Sequence, residues 1–148
     1  MKWKKDGFTI RTKKNKMNIP YIHEFISNKS YWAEGIPLAV VKRSIKGSLC
    51  FGIFHATKQI GFARVVTDSA TFGYLADVFI DENYRGKGLG KWLMEVIVSH
   101  PELRGLRNWM LATRDAHGLY EKFGFKPLEN PERIMRKNNP DVYKKEIS

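Results

Sequence analysis

Cysteine is nearly missing from this sequence: Cys50 is the single one in 148 residues. That excludes a disulfide framework and any metal site built from several cysteines. No apolar run approaches the ~18 residues of a membrane-spanning helix, so no membrane partner is expected. The start, Met1 to Asp6, has no apolar stretch behind its positive charges, so a secretory leader is not expected either and cytoplasmic residence is the default reading. Acidic residues are sparse beside basic ones, 15 against 26, which leaves a formal net charge of +11.

What is present looks globular. Apolar residues make up 43% and charged residues 28%, an ordinary balance for one compact unit, and the length suits a single domain over residues 1–148. No internal repeat or low-complexity segment divides it. The positive charge gathers at the ends. Lys2, Lys4, Lys5, Arg11, Lys13, Lys14 and Lys16 lie in the first sixteen residues, and Arg133, Arg136, Lys137, Lys144 and Lys145 near the close. Such ends attract polyanions. No recognition helix or aromatic-interleaved pattern accompanies them, so solvated termini are the favoured reading and a nucleic-acid partner is not expected.

Periodicity sets the order of elements. Phe8-Thr9-Ile10-Arg11 reads as a strand. Asn18 caps a helix carrying Ile19, Ile22 and Ile26, with Pro20 in its first turn and Asn28-Lys29-Ser30 ending it. A loop rich in aromatics, Tyr31 to Pro37, leads to a second helix on Leu38, Val41 and Ile45, ended by Gly47. Three strand runs follow, 48–56, 59–67 and 71–80, joined by short polar turns into an antiparallel meander. In the third, Phe72, Tyr74, Ala76, Val78 and Ile80 share one face, and Leu75, Asp77 and Phe79 the other. Leu89, Trp92, Leu93, Val96 and Ile97 recur at i, i+3, i+4, i+7, i+8, the strongest helix signal in the chain, which His100-Pro101 ends. A strand over 108–112 comes next. Then follows a helix on Ala116, Leu119, Tyr120 and Phe123, with Asp115 as N-cap and Gly124 closing it. The last strand is Phe125 to Leu128. The order βααβββαβαβ implies an α/β (α+β) fold with a mixed, mostly antiparallel central sheet flanked by helices.

The segment Arg85-Gly86-Lys87-Gly88-Leu89-Gly90 joins a strand to the strongest helix. A helix N-terminus offers unpaired N–H groups and a partial positive charge, and glycines let a phosphate come close to that backbone. Arg85, Lys87 and Lys91 add full charges. A Walker A loop is excluded, because Gly90-Lys91 is followed by Trp92 rather than Ser or Thr. A Rossmann fingerprint is excluded as well, because the spacing is G-x-G-x-G after antiparallel strands. A pyrophosphate is the anion the loop suits best.

Tyr84-Arg85-Gly86-Lys87-Gly88-Leu89-Gly90 resembles the Q/R-x-x-G-x-G/A motif of the GNAT acetyltransferases. Leu75 to Ile80 is similar to that family's fourth strand. Ala116-His117-Gly118-Leu119-Tyr120-Glu121-Lys122-Phe123-Gly124-Phe125 resembles its A-x-x-x-Y-x-x-x-G-F segment. The likeness runs roughly from Gln59 to Leu128; the N-terminal third agrees only in element order.

The resemblance implies acetyl-CoA as cosubstrate without a metal, and N-acetylation of a small-molecule or peptide amine by direct attack. It places the pyrophosphate on Arg85, Gly86, Lys87, Gly88, Leu89, Gly90 and Lys91. It places pantetheine and the thioester carbonyl on the backbone of Val78, Phe79 and Ile80, with Thr113 and Ala116 alongside. A positioned donor to such a carbonyl stabilises the transition state by ~3–4 kcal/mol. Tyr120 becomes the acid for the departing thiolate; by periodicity alone it is a core aromatic beside Ala116 and Phe123. Asp77 is the first choice as general base, with a structural carboxylate as the equal alternative, since a bulge in this strand can redirect it. Glu34, His55 and His117 are weaker choices. Tyr31 and Trp32 either wall the acceptor site, through cation–π contact, or merely cover the core. Cys50 reads as buried and inert. Two other readings stay open: a CoA-binding sensor without turnover, and an acyltransferase associated with nucleic acid. Oligomeric state, a homodimer included, is not fixed by the sequence.

Overall fold

The computed structural model describes residues 1–144, so Lys145 of the basic C-terminal stretch lies outside the described residues. The chain opens with a hairpin that periodicity missed. β1 (Lys2–Lys5) pairs antiparallel with β2 (Phe8–Arg11) across Asp6-Gly7, both at positive φ (51° and 83°). That two-residue turn matches the twist of a hairpin. The lysines of β1 line the sheet's outer edge, a device that discourages strand addition. Trp3 packs inward on the core.

α1 (Ile19–Lys29) begins where expected, with Asn18 Oδ1 accepting from the Tyr21 amide at 3.1 Å. α2 (Leu38–Lys46) ends at Gly47. β3 (Leu49–His55), β4 (Lys58–Thr67) and β5 (Phe72–Ile80) form the meander. α3 (Leu89–Ser99) follows the glycine loop, and β6 (Asn108–Met110) joins the sheet parallel to β5. The sheet order is β1-β2-β3-β4-β5-β6. α4 (His117–Glu121) is a single short helix. The mixed, mostly antiparallel sheet flanked by helices is thus as the sequence implies, with β1 added and the last strand absent.

Each sheet face carries its own apolar cluster. α1 and α2 bury Ile22, Phe25, Ile26, Val41 and Ile45 against Cys50, Phe62 and Phe79. α3 buries Leu89, Trp92, Leu93, Met94, Val96 and Ile97 against Ile10, Phe51, Val65 and Leu75 on the other face. Burying each large apolar side chain stabilises the fold by about 1.5–3 kcal/mol. Cys50 is sealed in the first cluster, and burial pushes its thiol pKa up to about 11, so it stays protonated and inert. Among the described residues no helix is long and apolar enough to cross a membrane.

Three local expectations are corrected. Phe125 to Leu128 is not a strand. Gly124 (φ 91°) closes α4, and the Phe125 amide donates to the Tyr120 carbonyl at 3.3 Å while the Phe125 ring packs edge-on to the Tyr120 ring. The helix end thereby takes the amide a ladder would need, and Pro127 has none to give. Asp115 does not cap α4; Thr113 Oγ1 accepts from the Ala116 amide at 3.1 Å instead. The strict alternation along β5 also fails. Arg64 pairs with Ala76 and Phe62 with Phe79, so two residues of β5, Asp77 and Val78, face the single Ala63. This bulge puts Leu75 and Val78 on the α3 side and Phe79 on the α1 side.

Candidate functional site

The site begins where β5 loses its neighbour. β6 pairs only with Phe72, Gly73 and Tyr74, so the edge of β5 from Leu75 to Ile80 is left without a strand partner on that side. Parallel strands that diverge in this way leave a cleft lined by backbone N–H and C=O groups.

At one end of this edge stands the glycine loop. Gly86 (φ 81°) and Gly88 (φ 75°) are left-handed, and a Cβ at either would meet nothing within 4 Å. A side chain there costs about 1–2 kcal/mol of backbone strain and projects into the open cradle. The first helical bond of α3 runs from the Trp92 amide to the Gly88 carbonyl, so the amides of Leu89, Gly90 and Lys91 precede the ladder. A cavity of about 150 Å³ lies here, lined by Ile80, Tyr84, Arg85, Gly86, Gly88, Leu89 and Gly90. Arg85 is steadied by a 3.3 Å bond from Nε to the Ile80 carbonyl. Lys87 and Lys91 are exposed on the same loop. Free amides, glycine cradle and three cations together fit a diphosphate.

Arg85 also lines a second cavity, about 410 Å³, with Phe25 and Lys29 of α1 and with Asp81 and Glu82. α1 runs beside the end of β5: the Tyr21 hydroxyl donates to Asp81 Oδ2 at 3.3 Å, and Phe25 stacks on Phe79 with ring centroids 3.8 Å apart. The Phe79 side chain is therefore core, and only its backbone faces the edge. Burial, reinforced by Asp81, holds the Tyr21 phenol pKa well above its usual range.

The bulge is the middle of the site. Asp77 sits at φ 53°, left-handed for a residue with a Cβ. Its Oδ2 accepts from Arg64 Nε at 2.6 Å and its Oδ1 from Trp32 Nε1 at 2.7 Å. The carboxylate, only 9% exposed, has a donor on each oxygen.

Tyr31, Trp32 and Tyr120 converge at the far end. The Tyr31 hydroxyl accepts from the Arg114 amide at 2.9 Å, and the Arg114 guanidinium lies 3.9 Å over the Tyr31 ring. The loop between α1 and α2 is thereby tied both to β5 and to the segment before α4. Tyr120 is buried, and desolvation, with smaller contributions from Tyr31 and Asp115, pushes its phenol pKa up to about 12. None of the bonds that tie this end together uses its hydroxyl. Among the described residues no fully enclosed side-chain oxygen or nitrogen lacks a partner, so the Tyr120 hydroxyl is not sealed off without one. The Tyr120 amide donates to the Ala116 carbonyl at 3.4 Å, and Ala116 is joined to Thr113 by the capping bond.

Other expected residues stay apart. His55 Nδ1 lies 3.0 Å from the Tyr84 hydroxyl, at the glycine-loop end rather than at the bulge. Glu34 and His117 are exposed on the α1–α2 loop and at the start of α4. The sequence reading missed Arg64, Arg114, Phe25 and Lys29. Arg64 had a signal: a cation in the middle of an apolar strand, next to a strand holding a lone carboxylate. Phe25 and Lys29 had none, because the direction of α1 across the sheet is set only by packing.

Comparison with known proteins bears on the family and the fold. The family profile of the acetyltransferase (GNAT) domain matches residues 46–127. An acetyltransferase-named protein of Gibberella zeae is 27% identical over 142 residues, covering 81% of this chain and 79% of its own. A solved acetyltransferase of the GNAT family from Xanthomonas campestris is 44% identical, with a TM-score of 0.92 over 96% of this chain and all of its own. An acetyltransferase of Clostridium acetobutylicum, solved with acetyl-CoA, shares the fold at 15% identity, with a TM-score of 0.65 over 88% of this chain and 96% of its own.

Proposed function

The chain belongs to the GNAT acetyltransferase family, and on that premise we propose that it moves the acetyl group of acetyl-CoA directly onto a primary amine, working as one domain. The observation that carries this reading is continuity. The free edge of β5 runs from the glycine cradle, through the bulge at Asp77, to the corner where Tyr31, Trp32 and Tyr120 meet.

Acetyl-CoA, when bound, supplies an activated thioester. The amides of Leu89, Gly90 and Lys91, with the charges of Arg85, Lys87 and Lys91, hold the diphosphate. Gly86 and Gly88 keep side chains out of its way. The backbone of Val78, Phe79 and Ile80 orients the pantetheine arm and directs N–H groups at the carbonyl oxygen. Thr113 and Ala116 form the opposite wall. Tyr120 keeps a proton on its hydroxyl for the departing sulfur. Tyr31 and Trp32 wall the approach of a small-molecule or peptide amine, whose charged form suits aromatic faces. A lysine-like amine must also arrive neutral, which at pH 7 costs about 4–5 kcal/mol.

Calorimetric titration of acetyl-CoA into the wild-type protein and a Gly88→Trp variant tests this. Micromolar binding that the variant loses is the expected result, followed by CoA release with members of an amine and peptide panel. Binding without CoA release across the panel would instead support a sensor without turnover. No binding at all would remove the reading.

A further inference from the structure

We propose that Arg64 and Trp32 are positioning residues that act through Asp77 to hold the β5 bulge, and that Asp77 anchors the site rather than serving as its base. The proposal rests on the functional reading above for its consequence, but its structural part stands on the bonds alone.

The bonds form one directed chain. Ser48 Oγ donates to the Ser44 carbonyl of α2 at 2.7 Å, and Arg64 Nη1 donates to that same Oγ at 3.1 Å. Arg64 Nε donates to Asp77 Oδ2, and Trp32 Nε1 donates to Asp77 Oδ1. Three elements thus meet at one carboxylate: α2 through Ser48 and Arg64, the neighbouring strand β4, and the α1–α2 loop. Both contacts on Asp77 are donors, so the site requires a group that accepts on both oxygens. A carboxylate does that and an amide does not. Arg64, 19% exposed at its side chain, meets no other carboxylate among the described ion pairs.

The position of Asp77 gives the bonds their purpose. It is the left-handed residue of the bulge, at φ 53°, and the bulge decides which way the following amides of Val78 and Phe79 point. A left-handed non-glycine residue persists where surrounding bonds over-determine it, and here the side chain is fixed from two sides. Trp32 belongs to the loop that walls the amine approach. The same indole therefore links the acceptor wall to the backbone that faces the thioester. An acceptor that shifts Trp32 shifts the bulge with it.

The base role asks for something different. A base must meet the amine or a water with a free lone pair and then carry the proton. Each Asp77 oxygen already takes one donor, and although a second lone pair remains on each, the side chain is only 9% exposed, which leaves little of it to meet an amine or a water.

Three variants separate the roles: Trp32→Phe, Arg64→Gln and Asp77→Asn. Trp32 is 42% exposed on a loop, so Trp32→Phe keeps the fold even where the other two fail. Amide NMR of the ligand-free proteins comes first. The Val78 and Phe79 cross-peaks are expected to move in all three variants. Unmoved peaks in Trp32→Phe and Arg64→Gln overturn the proposal. Infrared spectra of bound [1-13C]acetyl-CoA come second, with the carbonyl band expected to return toward its position in water in Trp32→Phe and Arg64→Gln. With an amine found by the panel, kcat should fall about tenfold or more while acetyl-CoA affinity changes little. The ascending limb of the pH–rate profile should survive in Asp77→Asn; its loss there, with Val78 and Phe79 peaks unmoved, makes Asp77 the base. If wild-type protein binds no acetyl-CoA while the variants still show the amide shifts, the transferase reading is refuted and the anchor is left intact.

Discussion

Tyr120 holds its proton because burial disfavours the phenolate, with its pKa raised to about 12. The sign of this shift fixes what pH can do. The folded state favours the neutral phenol, so Tyr120 imposes no loss of activity between neutrality and about pH 10, and its own titration lies above the working range. A rate that rises with pH through the alkaline region then reports the acceptor amine losing its proton. Tyr120→Phe keeps the ring that packs on Phe125 and removes only the hydroxyl, so folding should be spared. Turnover should drop by about 10²-fold, with acetyl-CoA affinity nearly unchanged. Steady-state kinetics beside calorimetry checks it; equal turnover would take Tyr120 out of the mechanism. This residue was legible in the sequence only through a motif, since its spacing from Ala116 and Phe123 fits a core position just as well. Periodicity sees its burial and says nothing of its hydroxyl.

At the scale of elements, the helices were legible because their signals are local. Asn18 caps α1, Gly47 stops α2, and the apolar stripe of α3 is continuous. The bulge was not, because a two-residue alternation carries no mark of an inserted residue until the partner strand is placed. The strand expected at Phe125 was lost to a competing local motif, the glycine-closed end of α4. The end of α3 offers a test of another local device. His100 is 2% exposed, its Nδ1 accepts from the Glu102 amide at 3.1 Å, and its ring packs on Trp3 and Phe51. Desolvation lowers its pKa from the usual value near 6.5. The folded state therefore binds this proton less readily than the unfolded chain. The stability contributed by neutral His100 is complete above about pH 6.5 and lost progressively as pH falls toward the lowered folded value. Denaturant titrations between pH 7.5 and ~5 should show stability declining in the wild type. His100→Asn keeps an acceptor for the Glu102 amide without a titrating ring, and the decline should flatten. A parallel slope in the two proteins would assign it to the carboxylates instead.

The whole molecule carries a formal net charge of +11, and its placement becomes clear only in three dimensions. Lys2, Lys4 and Lys5 lie on the edge strand β1, one end of the sheet, while Arg85, Lys87 and Lys91 surround the glycine loop where β5 gives way to α3. The first group lines an exposed edge; the second is the one proposed to meet the diphosphate. Composition could not separate these roles, because both are lysine-rich runs beside glycine. Salt can. Exposed charges farther apart than about 10 Å are largely screened at 0.1 M ionic strength, while phosphates seated against free amides keep their short-range bonds. Acetyl-CoA binding should weaken by about tenfold from ~50 to ~500 mM salt, since loop and overall field both favour the phosphates. S-acetylpantetheine keeps the thioester arm and lacks the nucleotide phosphates, so its weaker binding should be nearly indifferent to salt. Replacing Lys2 and Lys4 by Gln should alter that slope little, because they lie on the edge strand β1 away from the Phe8–Tyr84 contact; replacing Lys87 and Lys91 by Gln should flatten it. If the edge substitutions flattened it as much as those at the loop, the attraction would come from the net charge as a whole, and the loop would owe its grip to the amides of Leu89, Gly90 and Lys91 alone.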